Sequence, residues 1–249
     1  MKALIAAICI GFALHSCQPK DSHSEEKESK KTSNESSNVL QKEKVIGSYV
    51  GLFGENPDEN NKVTLLINYI DDKKVWGRTI VGGNDRPFEG TYSISEDGQV
   101  NIEADEPGDN RYDGHFSIKA SMSNPQQISG SWTPFKNTTP AKSFKLDRKS
   151  FEYDPSVGNY PQSSERLLQT SELENLMKED LAYMRNEIFA RHGYCFQQKE
   201  WRQAFELNEW YVPNSISIKN MLTPVEKKNI EMIKRYEKYA EEYGDEFGR

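Results

Sequence analysis

The chain has 249 residues, of which 35% are hydrophobic and 29% charged, with a formal net charge of −7. With a mean hydropathy of −0.84, it is too polar for one large core, so long polar segments must dilute one or two smaller domains. An acidic balance with no Lys/Arg cluster excludes nucleic acid as a partner, because that needs a basic footprint.

The N-terminus decides how later residues are read. Lys2 is followed by Ala3 to Leu14, apolar or small throughout. That run of about 12 suits a signal-peptide core and falls short of the ~20 residues that cross a bilayer. It ends Leu14-His15-Ser16-Cys17, which resembles a bacterial lipobox, with His15 where a small residue is usual. The resemblance implies a leader over 1–16, diacylglycerol on the Cys17 thiol and an acyl chain on its new amine. Two or more chains anchor a protein stably. The expected location is the bacterial cell envelope, on an outer-membrane leaflet that stays open. Of the three cysteines, Cys9 falls in the leader and Cys17 carries lipid, leaving Cys195. An intramolecular disulfide and a Cys-based zinc site then both drop out. Residues 17–44 hold the anchor and a Ser-, Lys-, Glu- and Asn-rich stretch without aromatics. Such a stretch buries too little to order itself and reads as a tether spanning about 30 Å.

Over residues 45–149 the pattern changes to period two. Val63, Leu65, Ile67 and Tyr69 alternate with Thr64, Leu66, Asn68 and Ile70, as a strand requires. Asp97-Gly98 between two alternating runs is a hairpin signal, since both residues tolerate positive φ. About eight strands are expected, near 46–53, 62–70, 74–81, 88–94, 99–104, 112–119, 127–132 and 143–148. A glycine followed two places on by an aromatic recurs at Gly47/Tyr49, Gly90/Tyr92, Gly114/Phe116 and Gly130/Trp132. Glycine lets strands kink or approach closely, and repeated kinks let a meander close. The expectation is a small antiparallel β-barrel, its interior either filled or holding one small ligand.

Residues 150–164 read as an irregular connector, and from 165 to 249 the period becomes helical. Ser171 with Glu174 reads as a capping box. It would open a long helix whose apolar stripe is Leu173, Leu176, Met177, Leu181, Met184 and Ile188. Gly193 would end it in a left-handed turn. A short helix follows with Trp201 and Phe205 one turn apart. A last one is capped by Thr223-Pro224-Val225-Glu226 and packs on Val225, Met232, Ile233, Tyr236 and Tyr239.

Within this half, Phe189-Ala190-Arg191-His192-Gly193, flanked by Arg185-Asn186-Glu187, Trp210-Tyr211-x-Pro213 and Glu226-x-x-Asn229-Ile230, resembles the YARHG domain over roughly residues 165–240. Phe189 replaces the tyrosine of the family's motif. The resemblance implies a small, mostly helical, extracytoplasmic module and no reaction. The residues it singles out are Arg185, Glu187, Phe189, Arg191, His192, Gly193, Trp210 and Tyr211. For these a structural role outweighs a functional one. Arg191 projects onto the same stripe as Leu173 and Met184, and Glu187 one turn earlier supplies a planar acceptor. His192 would cap helix carbonyls.

Other constellations are weaker. A His192–Cys195 thiol–imidazole pair would need an oriented base across a helix end. The acidic loop of Asp105, Glu106, Asp109 and Asp113 has the charge for calcium but not the ligand spacing. No cofactor is implied. The fold class is therefore α+β in two domains, an eight-stranded barrel followed by helices. The leading expectation is a lipid-anchored, non-enzymatic protein that binds an envelope protein or cell-wall glycan. A small-molecule carrier using the barrel is the alternative, and a hydrolase the least favoured.

Overall fold

The structure is a computed structural model, described over residues 43–54, 61–109, 112–136 and 140–243. The chain divides into a unit over 1–40 and a unit over 41–249, and all described residues belong to the second. The expected leader, Cys17 and most of the tether lie outside the described residues.

Eight strands follow one another: β1 (Gly47–Phe53), β2 (Asn61–Ile70), β3 (Lys74–Val81), β4 (Asn84–Ile94), β5 (Gln99–Asp105), β6 (Gly114–Ser121), β7 (Gln127–Pro134) and β8 (Lys142–Arg148). Each pairs antiparallel with its neighbour in sequence, and β1 pairs with β8 to close a barrel. The eight-strand barrel read from period-two alternation is thus the fold. In β6 the alternation is plain, with Phe116, Ile118 and Ala120 buried and Lys119 exposed.

Two details depart from the sequence reading. The β2–β3 register shifts between Ile67 and Tyr69. An inserted residue reverses which side chains face inward, so Ile70 is buried and Tyr69 is 55% exposed. The glycines also work differently: the aromatic two places on shares each glycine's face and is the ring the sequence offers to cover the gap. A Cβ at Gly114 would strike the Trp132 indole, and one at Gly130 would strike the Phe144 ring. The ring covering each gap therefore comes from the adjacent strand, not from the residue two places on.

The barrel's centre is filled. Tyr49, Leu65, Ile67, Ile102, Ile118 and Leu146 are each at most 1% exposed. Toward one end rings take over: Phe88 lies 5.6 Å from Phe116, and Phe53 lies 6.0 Å from Phe144.

The second half holds α1 (Gln162–Glu165), a single 3-10 turn (Thr170–Glu172), α2 (Lys178–Arg191), α3 (Lys199–Phe205) and α4 (Pro224–Tyr243). The expected long helix from Ser171 is a correction. A capping box does form, but on Gln169 and Glu172. Glu172 accepts from the Gln169 N–H and takes Arg166 in two 2.8 Å bonds, closing one turn only. Met177 is extended at ψ 160°, and the helix proper starts at Lys178 with Glu179 and Asp180 in its first turn, where negative charge is favoured. Leu173 still reaches the core with Leu181, Met184 and Ile188, from a turn rather than a helix. In α4 the Thr223/Glu226 box forms as expected. Its buried face, however, is Glu226, Asn229, Ile230 and Ile233, while Tyr239 is 58% exposed.

Barrel and helices meet along a polar seam. Lys62 Nζ donates to Asn208 O (2.6 Å) and Tyr211 O (3.0 Å), and Thr64 Oγ1 donates to Pro213 O (2.5 Å). Thr64 points away from the barrel core yet is 1% exposed, because the 211–213 segment covers it. Thr64→Val leaves the Pro213 carbonyl buried without its donor, which costs about 1–3 kcal/mol. The expected result is a lower Tm in a thermal melt with unchanged far-UV circular dichroism. An unchanged Tm would show the seam to be solvated.

Candidate functional site

The motif residues converge on one buried polar knot, built from three segments. Arg191 and Glu187 sit one turn apart on α2, both side chains 0% exposed, with Arg191 Nη2 2.6 Å from Glu187 Oε2. The rest of the guanidinium is taken by the segment before α1 and by α1 itself. Nε donates to Val157 O (2.8 Å), and Nη1 donates to the hydroxyls of Ser163 and Ser164 (3.0 Å each). Glu187 in turn accepts from the backbone N–H groups of Asn159 (2.6 Å) and Tyr160 (2.7 Å). Gly158 makes this possible: its φ is +94°, and a Cβ would run into the Glu187 carboxylate.

Glu226, at the start of α4, is the second centre. Its carboxylate accepts from Ser164 Oγ (2.8 Å), Tyr153 OH (3.1 Å), the Thr223 N–H (2.8 Å) and His192 Nε2 (2.7 Å). A carboxylate only accepts, so Nε2 carries the proton. His192 is therefore not a cap on helix carbonyls, as the sequence suggested. It stacks on Tyr153 at 4.5 Å and ties α2 to α4. Burial pushes the Glu226 carboxyl up, but the His192, Thr223 and Ser164 donors outweigh it and hold it below the ordinary 4.5. Burial and the Glu226 charge push the Tyr153 phenol up to about 12. Gly193 takes the left-handed turn at φ +68°, as expected. Asn229 closes the knot, accepting from the Leu168 N–H and donating to the carbonyls of Ser163 and Arg166.

The remaining motif residues lie around this knot. Arg185 pairs with Glu237 at 2.7 Å and lies over the Phe189 ring. Tyr211 is buried, its hydroxyl donating to Tyr194 O at 2.7 Å, and Trp210 packs edge-on to Phe205. Cys195 is 3% exposed, and burial pushes its thiol up to about 11, so it stays protonated at neutral pH. The acidic loop does not converge. Asp105 bonds His115, Glu106 accepts from Trp132 Nε1 and the Gly114 N–H, Asp113 pairs with Arg86, and Asp109 is exposed. Among the described residues no group of three His, Cys, Asp or Glu could hold a metal ion.

Beside the knot, α2, α3 and the 218–222 segment enclose a groove of about 430 Å³. Phe189, Tyr194, Phe196 and Trp201 supply rings, and Gln198 and Lys219 sit exposed at its edge. Asn186 also lines it and is 5% exposed. Its Nδ2 donates to Ala182 O at 2.9 Å, while its Oδ1 has no hydrogen-bond partner among the described residues.

This architecture has a name for part of the chain. Residues 159–238 match the family model described as the YARHG domain, so the domain starts within the stretch that the sequence reading assigned to the connector. Among curated proteins none matches the chain.

Proposed function

We propose that this chain is a lipid-anchored, non-enzymatic protein of the bacterial envelope whose YARHG domain binds cell-wall glycan. One observation carries the reading: the ring-lined groove with a buried amide oxygen lacking a partner at Asn186. Buried polar atoms are almost always paired, so that oxygen is suited to a ligand's donor. Sugar rings present apolar C–H faces that stack on indole and phenol rings, and hydroxyls and N-acetyl groups that bond amides. Pockets of this kind combine an apolar lining with a few placed polar groups. Glu187, Arg191 and His192 are occupied in holding the fold, so recognition falls to the groove beside them, which Phe189 lines.

Anchorage through Cys17 is the companion proposal. Among the described residues no helix is long and apolar enough to cross a membrane, and the Leu14–Cys17 pattern supports lipid as the attachment. Intact-mass measurement on the native protein tests it: residues 1–16 should be missing and acyl mass added.

Co-sedimentation with purified cell wall tests the glycan reading. Trp201→Ala is expected to reduce the bound fraction at least tenfold, and the milder Gln198→Ala severalfold, both with the helical circular dichroism retained. Binding that survives both substitutions would move the site elsewhere.

A further inference from the structure

The end of the barrel that faces α3 opens into a second cleft, of about 520 Å³. Phe53, Phe116 and Trp132 form its floor, each no more than 7% exposed, and Arg202 of α3 stands at its edge. Two polar side chains are buried in the same wall, Thr79 at 3% and Glu106 at 5% exposure. Glu106 uses one oxygen: Oε2 accepts from Trp132 Nε1 (2.8 Å) and the Gly114 N–H (3.1 Å). Its Oε1 has no hydrogen-bond partner among the described residues, although the Arg86 guanidinium, which also lines the cleft, attracts the carboxylate, and the Thr79 hydroxyl has none either.

A buried acceptor left unmatched destabilises the fold that holds it. Thr79 faces inward from β3 and Glu106 follows β5, so the two unmatched groups reach the cleft from separate strands. Each is isolated from the other's chain neighbourhood, and both line one space floored by rings. A flat apolar molecule gains by covering those rings, and a donor at its tip would match what the wall lacks.

We propose that this cleft is a binding site for a small flat apolar molecule ending in a hydroxyl or N–H, with the ring system on Phe116 and Trp132 and the donor on Glu106 Oε1, steadied by Thr79. The site lies at the barrel's mouth, since the centre is packed. It is separate from the groove of the YARHG domain and stands or falls independently of it.

Two probes that share one ring system test this: 2-naphthol, which donates, and 2-methoxynaphthalene, which is one methyl larger and does not. Each is titrated into the full chain while the Trp132 indole N–H is followed by NMR, assigned with Trp132→Phe. The expected result is a saturable shift of that resonance by 2-naphthol, with 2-methoxynaphthalene at least tenfold weaker. In Glu106→Gln the amide oxygen must serve Trp132 and Gly114, which turns its NH₂ into the cleft; a phenol and an ether can both accept from it, so the tenfold preference for 2-naphthol should be lost. Thr79→Val, nearly equal in shape, should weaken 2-naphthol severalfold and serves if Glu106→Gln fails to fold. Equal affinity of the parent chain for the two probes, no saturable binding, or shifts confined to the indoles of Trp201 and Trp210 would each overturn the proposal.

Discussion

Arg191→Ala is expected to lower the stability of the helical half by about 3–5 kcal/mol, the cost of breaking a buried ion pair by deleting one member. The size follows from what is left behind. Glu187 would remain 0% exposed with its charge uncompensated, and Val157 O, Ser163 and Ser164 would lose their donor. Arg191→Lys should recover little. An ammonium is a point charge, and it lacks the planar fork that reaches a carboxylate, a carbonyl and two hydroxyls together. Urea denaturation followed by circular dichroism at 222 nm measures the loss. A midpoint indistinguishable from the parent's would sink the structural account of the motif and give Arg191 back to ligand binding.

The knot also explains what the sequence discloses and what it hides. Barrel strands are legible where they alternate against water, as β5 and β6 do, and the Asp97-Gly98 turn punctuates two of them. The slip at Ile67–Tyr69 is not legible, since a bulge moves Ile70 inward without altering composition. Burial of Arg191 follows from its place on the Met184 stripe. The backbone partners of the Arg191–Glu187 pair do not. Val157 for Arg191, and Asn159 and Tyr160 for Glu187, act through backbone groups that every residue carries, so no side chain marks 157–160 as part of the site. Gly158 is the one residue there whose type is dictated, by a positive φ and by the carboxylate against it. The helix start is hidden for a related reason. Ser171 and Glu174 have capping-box spacing, but Arg166 draws Glu172 into a competing turn.

Acid should weaken the same knot from its second centre. Glu226 has its carboxyl below the ordinary 4.5 in the fold. The unfolded chain therefore binds the proton more readily, and stability rises with pH across that interval. What the charged Glu226 contributes is fully present above pH 4.5 and is lost as pH falls through its lower folded value. The parent is therefore expected to lose stability below about pH 4.5. Other carboxylates titrate in the same range, so the informative quantity is a difference. At pH 7 Glu226→Gln should be less stable than the parent by about 1–3 kcal/mol, because a neutral amide is a weaker acceptor and its NH₂ faces other donors. Below pH 4.5 the two should converge as the parent's carboxyl takes up its proton. Convergence would place the acid limb at the His192–Glu226 contact. A gap that stays constant from pH 7 to pH 3 would mean that Glu226 contributes by shape alone, and that His192 is held by Tyr153 stacking rather than by charge.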